Sequence, residues 1–110
     1  MPATHEQAML MMEVQQWYAM EGGTDAALKV YAGDFDAGSA HALDREVQTM
    51  LAYYETLGAL VKNGLLDKDF VLDFVWAQGA WERVGQAALR AREETGEPHL
   101  FEHFEALARD

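Results

Sequence analysis

Apolar residues recur with a helical period along most of this chain. Near the N-terminus the apolar positions lie three or four residues apart, as on one face of a helix. They are Leu10, Met11, Val14, Trp17 and Tyr18. Thr4 and Gln7 have the spacing of a capping box. The pattern predicts a first helix over 4–22 and, after the Gly22-Gly23 break, a short helix over 24–32.

The most informative stretch runs from Met50 to Trp81 and predicts a helical hairpin. Alternating steps of four and three residues place apolar groups on one face of each of two helices, over 39–63 and 67–95. Asn63-Gly64 matches a helix end, and Asp67 matches an N-cap. A last helix is expected over 98–108, because glycine just past one helix and proline at the start of the next are typical of such a boundary.

These elements predict an all-α fold. We expect a compact bundle of four to five helices built around the central hairpin, approximately 40–63 and 67–95, and forming a single domain over 1–110. Half of the residues are apolar, a quarter are charged and 11% are aromatic, which is typical of a globular chain.

Charge and composition narrow the classes of function. The formal net charge is −11, and residues 1–44 contain seven acids and only Lys29. Direct nucleic-acid binding is disfavoured, because it requires clustered Lys and Arg. The chain has no cysteine, which excludes disulfides and thiolate metal sites and fits a cytoplasmic location. It also has neither a signal-peptide pattern nor an apolar run of about 20 residues, so no membrane association is expected.

Two segments resemble a known family. One runs from Tyr54 to Asp67 and on through Val71-Leu72-Asp73; the other runs from Arg92 to Pro98 and on to Phe101-Glu102 and Phe104-Glu105. Together, over roughly residues 43–108, they resemble an uncharacterised family of small bacterial and phage helical proteins, a domain of unknown function. The resemblance implies a helical fold and no activity that can be transferred.

A metal site has only weak candidates in this sequence. His99, Glu102 and His103 lie within one arc of the last predicted helix, and His5 or His41 would have to complete the ligand set. A two-histidine spacing is common by chance, so we predict no metal and no cofactor. The acidic loop at Asp34 and Asp36 does not match a calcium-binding loop, because glycine and glutamate are out of position.

The sequence also has few candidates for catalytic residues. Glu55 and Asp73 are the acids most embedded in apolar sequence, and a buried carboxylate would have a raised pKa. Pairing with an arginine is the structural alternative. Ser39 is the sole serine and has no nucleophile-elbow context, so no catalytic residue is assigned.

The sequence therefore favours a non-enzymatic protein–protein interaction module, with a protein partner or a second copy of the chain as its target. The motivating feature is surplus apolar surface. The predicted interaction face consists of Met9, Met12, Trp17, Met20, Phe70 and Trp76. Two alternatives stay open: an acidic inhibitor or nucleic-acid mimic from a mobile element that blocks a basic partner, and a metal-dependent or carboxylate enzyme.

Overall fold

A computed structural model describes residues 3–109 of the chain, so the predicted domain extends beyond these limits at both ends. Within this range the structure has six α-helices and no β-strand. They are α1 (His5–Met20), α2 (Gly23–Val30), α3 (Arg45–Lys62), α4 (Lys68–Phe74), α5 (Ala77–Thr95) and α6 (Glu102–Ala108). The all-α prediction is confirmed, but the helix count exceeds the predicted four to five.

Two predicted helix starts are correct in their chemistry. The Thr4 side chain accepts a hydrogen bond from the Gln7 backbone N–H at 3.1 Å, and the Asp67 side chain accepts one from Phe70 at 3.1 Å. Gln7 does not reach back to its own helix, as a capping box requires. Its Oε1 instead accepts from the Asp67 backbone N–H at 2.8 Å, so α1 is tied to the start of α4.

The predicted third helix starts too early. The backbone carbonyls of its expected first turn are hydrogen-bonded to Arg90. The Arg90 guanidinium donates to the carbonyl oxygens of Gly38 and Ala40, which keeps residues 38–40 out of a helix. His41 adds a 3.0 Å contact from its Nε2 to the Glu94 carboxylate. The helix therefore begins at Arg45 and not at residue 39.

The predicted helix over 67–95 is wrong as one element. Val75 is extended, with φ −135° and ψ 152°, and this separates α4 from α5. The apolar rhythm continues across the break, so the periodicity gave no sign of it.

The predicted last helix, 98–108, also starts late. Residues 98–101 form turns, and Phe101 has a left-handed backbone with φ 61° immediately before α6. The Leu100 carbonyl accepts from Arg92 Nε at 2.7 Å, so a tertiary contact holds this turn in place of a helical bond.

The core is one cluster around α3 that takes buried residues from all six helices. Met50 and Leu57 of α3, Val84 of α5, and Phe104 and Leu107 of α6 are buried. The closest approach is between α3 and α6 at Gly58, where an added Cβ would collide with the His103 backbone carbonyl. Glycine is therefore required for this helix pair to pack. No helix among residues 3–109 combines the length and apolarity needed to span a bilayer.

Candidate functional site

Two grooves with different chemistry adjoin α3, one along its middle and one along its last turns. We call the first the aromatic groove. It has a volume of about 410 Å³ and is lined by six aromatic side chains. These are Tyr18, Tyr31, Tyr53, Tyr54, Phe74 and Trp76.

The aromatic residues that line this groove come from five places in the chain. Tyr18 comes from α1, Tyr31 follows the end of α2, and Tyr53 and Tyr54 come from α3. Phe74 ends α4, and Trp76 lies in the break before α5. The break thus has a direct consequence, because it brings Trp76 to the rim of the groove.

Two of these rings rest on glycines. The indole of Trp76 lies over Gly79, one turn along α5, and the ring of Tyr18 lies over Gly23 at the start of α2. In both places an added Cβ would overlap the ring. Trp76 is 65% exposed, yet its indole packs against Gly79 so closely that any other residue there would overlap it.

The tyrosine rings also hold one another. Tyr18 and Tyr53 stack with their ring centroids 3.9 Å apart, and Tyr53 meets Tyr54 edge to face at 5.1 Å. The Tyr18 hydroxyl donates to the sulfur of Met50 at 3.2 Å, and the Tyr53 hydroxyl donates to Gln15 Oε1. The groove wall is therefore fixed by internal contacts.

Burial suppresses ionisation of these tyrosines. It raises the pKa of Tyr18 from 10.0 to about 12, with a smaller contribution from the neighbouring Tyr31. Burial also raises the pKa of Tyr31, Tyr53 and Tyr54. All four hydroxyls therefore stay neutral at physiological pH, which leaves them as hydrogen-bonding groups and not as acids or bases.

We call the second feature the C-terminal groove. It is open, with a volume of about 610 Å³, and lies between the end of α3, the start of α4 and α6. Its basic and imidazole side chains are Lys62, Lys68, Arg92, His99, His103 and Arg109. Glu102 and Glu105 supply its carboxylates.

Glu55 organises one wall of the C-terminal groove. One carboxylate oxygen lies 2.6 Å from His103 Nδ1, and the other accepts from the Phe104 backbone N–H at 2.8 Å. The second bond satisfies an amide in the first turn of α6, which has no intrahelical partner. Since a carboxylate can only accept, the His103 proton sits on Nδ1, and Nε2 is left on the other side of the ring. Glu55 thus orients His103 and caps α6 in one step.

The two acids singled out from the sequence end up in different settings. Glu55 is half-buried and engaged with α6, while Asp73 is exposed, so the expectation of a buried acid is wrong for Asp73. Position 73 lies on α4, a short helix with only Val71 fully buried, and its other faces meet solvent.

The weak metal candidates pair with carboxylates. His99 Nδ1 lies 2.9 Å from Glu102 Oε2, and His103 Nε2 lies 3.9 Å from Glu102 Oε1. Among residues 3–109, no group of three or more His, Asp or Glu side chains has an arrangement that could hold a metal ion.

The residues of the predicted interaction face lie on α1, on α4 and in the break before α5. Met9, Met12 and Met20 are exposed on α1, Met20 at 79%. Trp17 borders a separate hollow, and Phe70 is half-buried with its ring edge-to-face against Phe74. Of the six residues, Trp76 alone lines the aromatic groove.

Sequence reasoning missed the tyrosines and the bases. Tyr18 counts only as an apolar position of the first predicted helix, and Lys62 and Lys68, at the end of α3 and the start of α4, belong to no motif. One local signal was available. Gly79 follows Trp76 by three residues and Gly85 follows Trp81 by four, and each glycine makes room for the ring before it.

The chain belongs to the family described as domain of unknown function DUF4760, whose model matches residues 4–110. The match begins before α1, so it is longer than the predicted 43–108 and includes the methionine-rich helix. No curated protein and no solved structure matches this chain.

Proposed function

We propose that this protein is a non-enzymatic interaction module of the cytoplasm that takes up an apolar side chain of a partner protein in the aromatic groove. One observation carries the proposal: Trp76 is 65% exposed and still held in place, with its indole over Gly79 at the groove rim. Exposed tryptophans that are already ordered are typical anchors of protein interfaces, because little side-chain entropy remains to be lost on binding.

The chemistry of the groove supports binding over catalysis. Its described lining contains neutral aromatic rings, Gln15, Met50 and small apolar groups, and no Asp, Glu, His, Lys or Arg. The raised pKa of Tyr18 keeps that hydroxyl protonated. Such a surface can bury an apolar group and offer hydrogen bonds at its edge, but it offers no proton acceptor suited to neutral pH.

The size of the groove supports the uptake of a side chain or a short segment. A volume of about 410 Å³ lies at the lower end of the range for small-molecule sites, roughly 300–1,000 Å³. Exposed Phe74 and Trp76 extend apolar surface past its rim. A partner residue inserted between the rings would cover surface that otherwise meets water.

The test is capture of partners by tagged full-length protein, compared among three variants. Trp76→Ala removes the anchor, and Gly79→Ala leaves the anchor but displaces it. Met20→Ala is the matched control, since Met20 is also exposed and apolar but lies on α1, outside the groove. We expect a specific partner that is lost with the first two variants and retained with the third.

Two other results would contradict the proposal. A partner lost with Met20→Ala or Met12→Glu, and retained with Trp76→Ala, would move the interaction to the methionine face of α1. A partner that binds all variants equally would exclude the groove. Recovery of the protein itself alone, with loss of self-association in Trp76→Ala, would make the partner a second copy of this chain.

The alternatives from the sequence remain predictions. An acidic inhibitor requires a partner with a basic groove, and this protein would have to compete with DNA for that groove. A carboxylate enzyme would have to use Glu55 and His103 at the C-terminal groove, where both bonds of the Glu55 carboxylate also have a structural role.

A further inference from the structure

We propose that the C-terminal groove is a binding site for a small phosphate monoester. The ligand's phosphate would lie between Lys62 and Lys68, and its organic part would lie on the apolar floor next to them. This site is separate from the aromatic groove and does not depend on the function proposed for it.

The first argument is the placement of the basic residues. The chain has eight Lys and Arg in total and a net charge of −11. Four of those eight, Lys62, Lys68, Arg92 and Arg109, line this one groove, and its lining among residues 3–109 contains two carboxylates. This described lining therefore has a surplus of two positive charges, which matches a phosphate monoester dianion.

The second argument concerns which of these bases already have counter-ions. Arg92 Nη2 lies 2.9 Å from Glu105 Oε1, and Arg109 Nη2 lies 3.9 Å from Glu105 Oε2. Lys62 and Lys68 form no ion pair among the described residues, and Lys68 Nζ donates instead to the Arg109 carbonyl at 2.7 Å. The surplus charge thus resides on two ammonium groups of the lining, Lys62 and Lys68.

The third argument is that the other polar groups are already oriented. Arg92 is held by its bonds to Leu100 and Glu105, and its side chain is mostly buried. His103 is held by Glu55 through Nδ1, and its Nε2 is 3.9 Å from Glu102, too far for a hydrogen bond. A ligand oxygen can approach the Arg92 guanidinium without rearranging it, which lowers the entropic cost of binding.

The floor distinguishes a monoester from inorganic phosphate. Gly58, Val61 and Leu107 supply an apolar strip within the groove. Its volume of about 610 Å³ is typical of sites for small organic ligands. An anion with an organic group would use both the lysines and this strip, whereas a bare phosphate would use the lysines alone.

A nucleic-acid strand is a poor fit to the same charges. The groove is the one place where half of the bases gather, while residues 1–44 contain seven acids and only Lys29. A long polyanion would extend past the groove over a protein whose net charge is −11. Repulsion there favours a ligand small enough to stay between α3, α4 and α6.

The test is an NMR titration of the isotope-labelled full chain with phenyl phosphate and with inorganic phosphate as probes. We expect saturable shifts of backbone amides around Lys62, Lys68 and α6, with tighter binding of phenyl phosphate. The double variant Lys62→Ala/Lys68→Ala should weaken that binding by on the order of a hundredfold, about tenfold for each charged hydrogen-bond donor lost.

The matched control is Lys29→Ala/Arg45→Ala, which removes the same charge from two bases outside the groove. It should bind phenyl phosphate as the unchanged protein does. Thermal unfolding of both double variants checks that each is folded.

Three results would overturn the proposal. Neither probe produces saturable shifts; both double variants lose affinity equally, so that binding reflects overall charge; or inorganic phosphate binds as tightly as phenyl phosphate, so that the apolar strip has no role.

Discussion

The aromatic groove and the C-terminal groove share one wall, α3, but different interactions shape them. Tyr53 and Tyr54 face the first, whereas Glu55 and Gly58 support the second. Rings stacked on one another and on glycines build the aromatic groove. Charged hydrogen bonds around a close helix contact build the C-terminal groove. The comparison shows that one helix can serve two kinds of surface when consecutive side chains leave it in different directions.

A row of aromatic contacts connects the two sides. From the Tyr18–Tyr53 stack the row continues through Tyr54 to Phe104, whose ring centroids lie 4.8 Å apart, and on to Trp81 at 5.0 Å. Phe104 is fully buried, and its backbone N–H is the one that Glu55 accepts. The two grooves therefore depend on one common core.

Alkaline pH should destabilise the fold through the tyrosines of the aromatic groove, and this is the largest effect that we expect. In the unfolded chain tyrosine loses its proton near pH 10.0, whereas burial delays this for Tyr18 until about pH 12. Between these values the folded chain binds more protons, so the free energy of unfolding falls as pH rises. Denaturant midpoints measured across this window should decrease while tyrosinate absorbance increases.

Tyr18→Phe is the control for that experiment. It keeps the ring over Gly23 but removes one titrating hydroxyl, so the decrease with pH should become shallower. An unchanged slope would show that Tyr18 ionises as freely in the folded protein as in the unfolded chain.

Gly58→Ala should have the largest effect among single substitutions on the C-terminal side. The added methyl group would collide with the His103 backbone, which cannot move without displacing α6. We expect the free energy of unfolding to fall by about 2–3 kcal/mol in a urea titration, the upper range for overpacking. A stabilised variant would contradict the close α3–α6 approach.

Glu55→Gln should have an intermediate effect. The amide keeps one acceptor but loses the charge that serves both His103 and the Phe104 amide. A decrease of about 1–2 kcal/mol is expected from charged hydrogen bonds of this kind. Asp73→Asn provides the comparison, because Asp73 is exposed and should change stability by less than about 0.5 kcal/mol. Equal changes in the free energy of unfolding in the two variants would contradict a structural role for Glu55.

Gly79→Ala should change the free energy of unfolding less than Gly58→Ala or Glu55→Gln. Its obstacle is the exposed Trp76 indole, which can swing into solvent, and alanine gains about 1 kcal/mol of helix propensity over glycine. The free energy of unfolding should therefore change by less than about 1 kcal/mol, while the tryptophan fluorescence emission changes. If the free energy of unfolding fell as much as in Gly58→Ala, contacts other than the one with Gly79 would have to hold the indole in place.

The sequence predicted the parts of the fold that local chemistry controls. Thr4 and Asp67 cap helices as their side chains suggest, and the apolar rhythm marks Met50, Leu57 and Val84 as core. Two of its errors lie where a distant side chain binds the backbone. Arg90 holds residues 38–40 out of a helix, and Arg92 does the same at Leu100. Periodicity cannot report such contacts, because it describes one segment at a time.

The sequence by itself thus determined an all-helical chain with an acidic surface and surplus apolar groups, since these follow from residue types and their spacing. The tertiary structure decided where chemistry is concentrated. Trp76 and Tyr53 are far apart in sequence yet line one groove, and Lys62, Lys68 and Arg92 come from three different helices yet line the other. The physical reason is that a groove belongs to the space between elements, and the packing of helices, not the order of residues, creates that space.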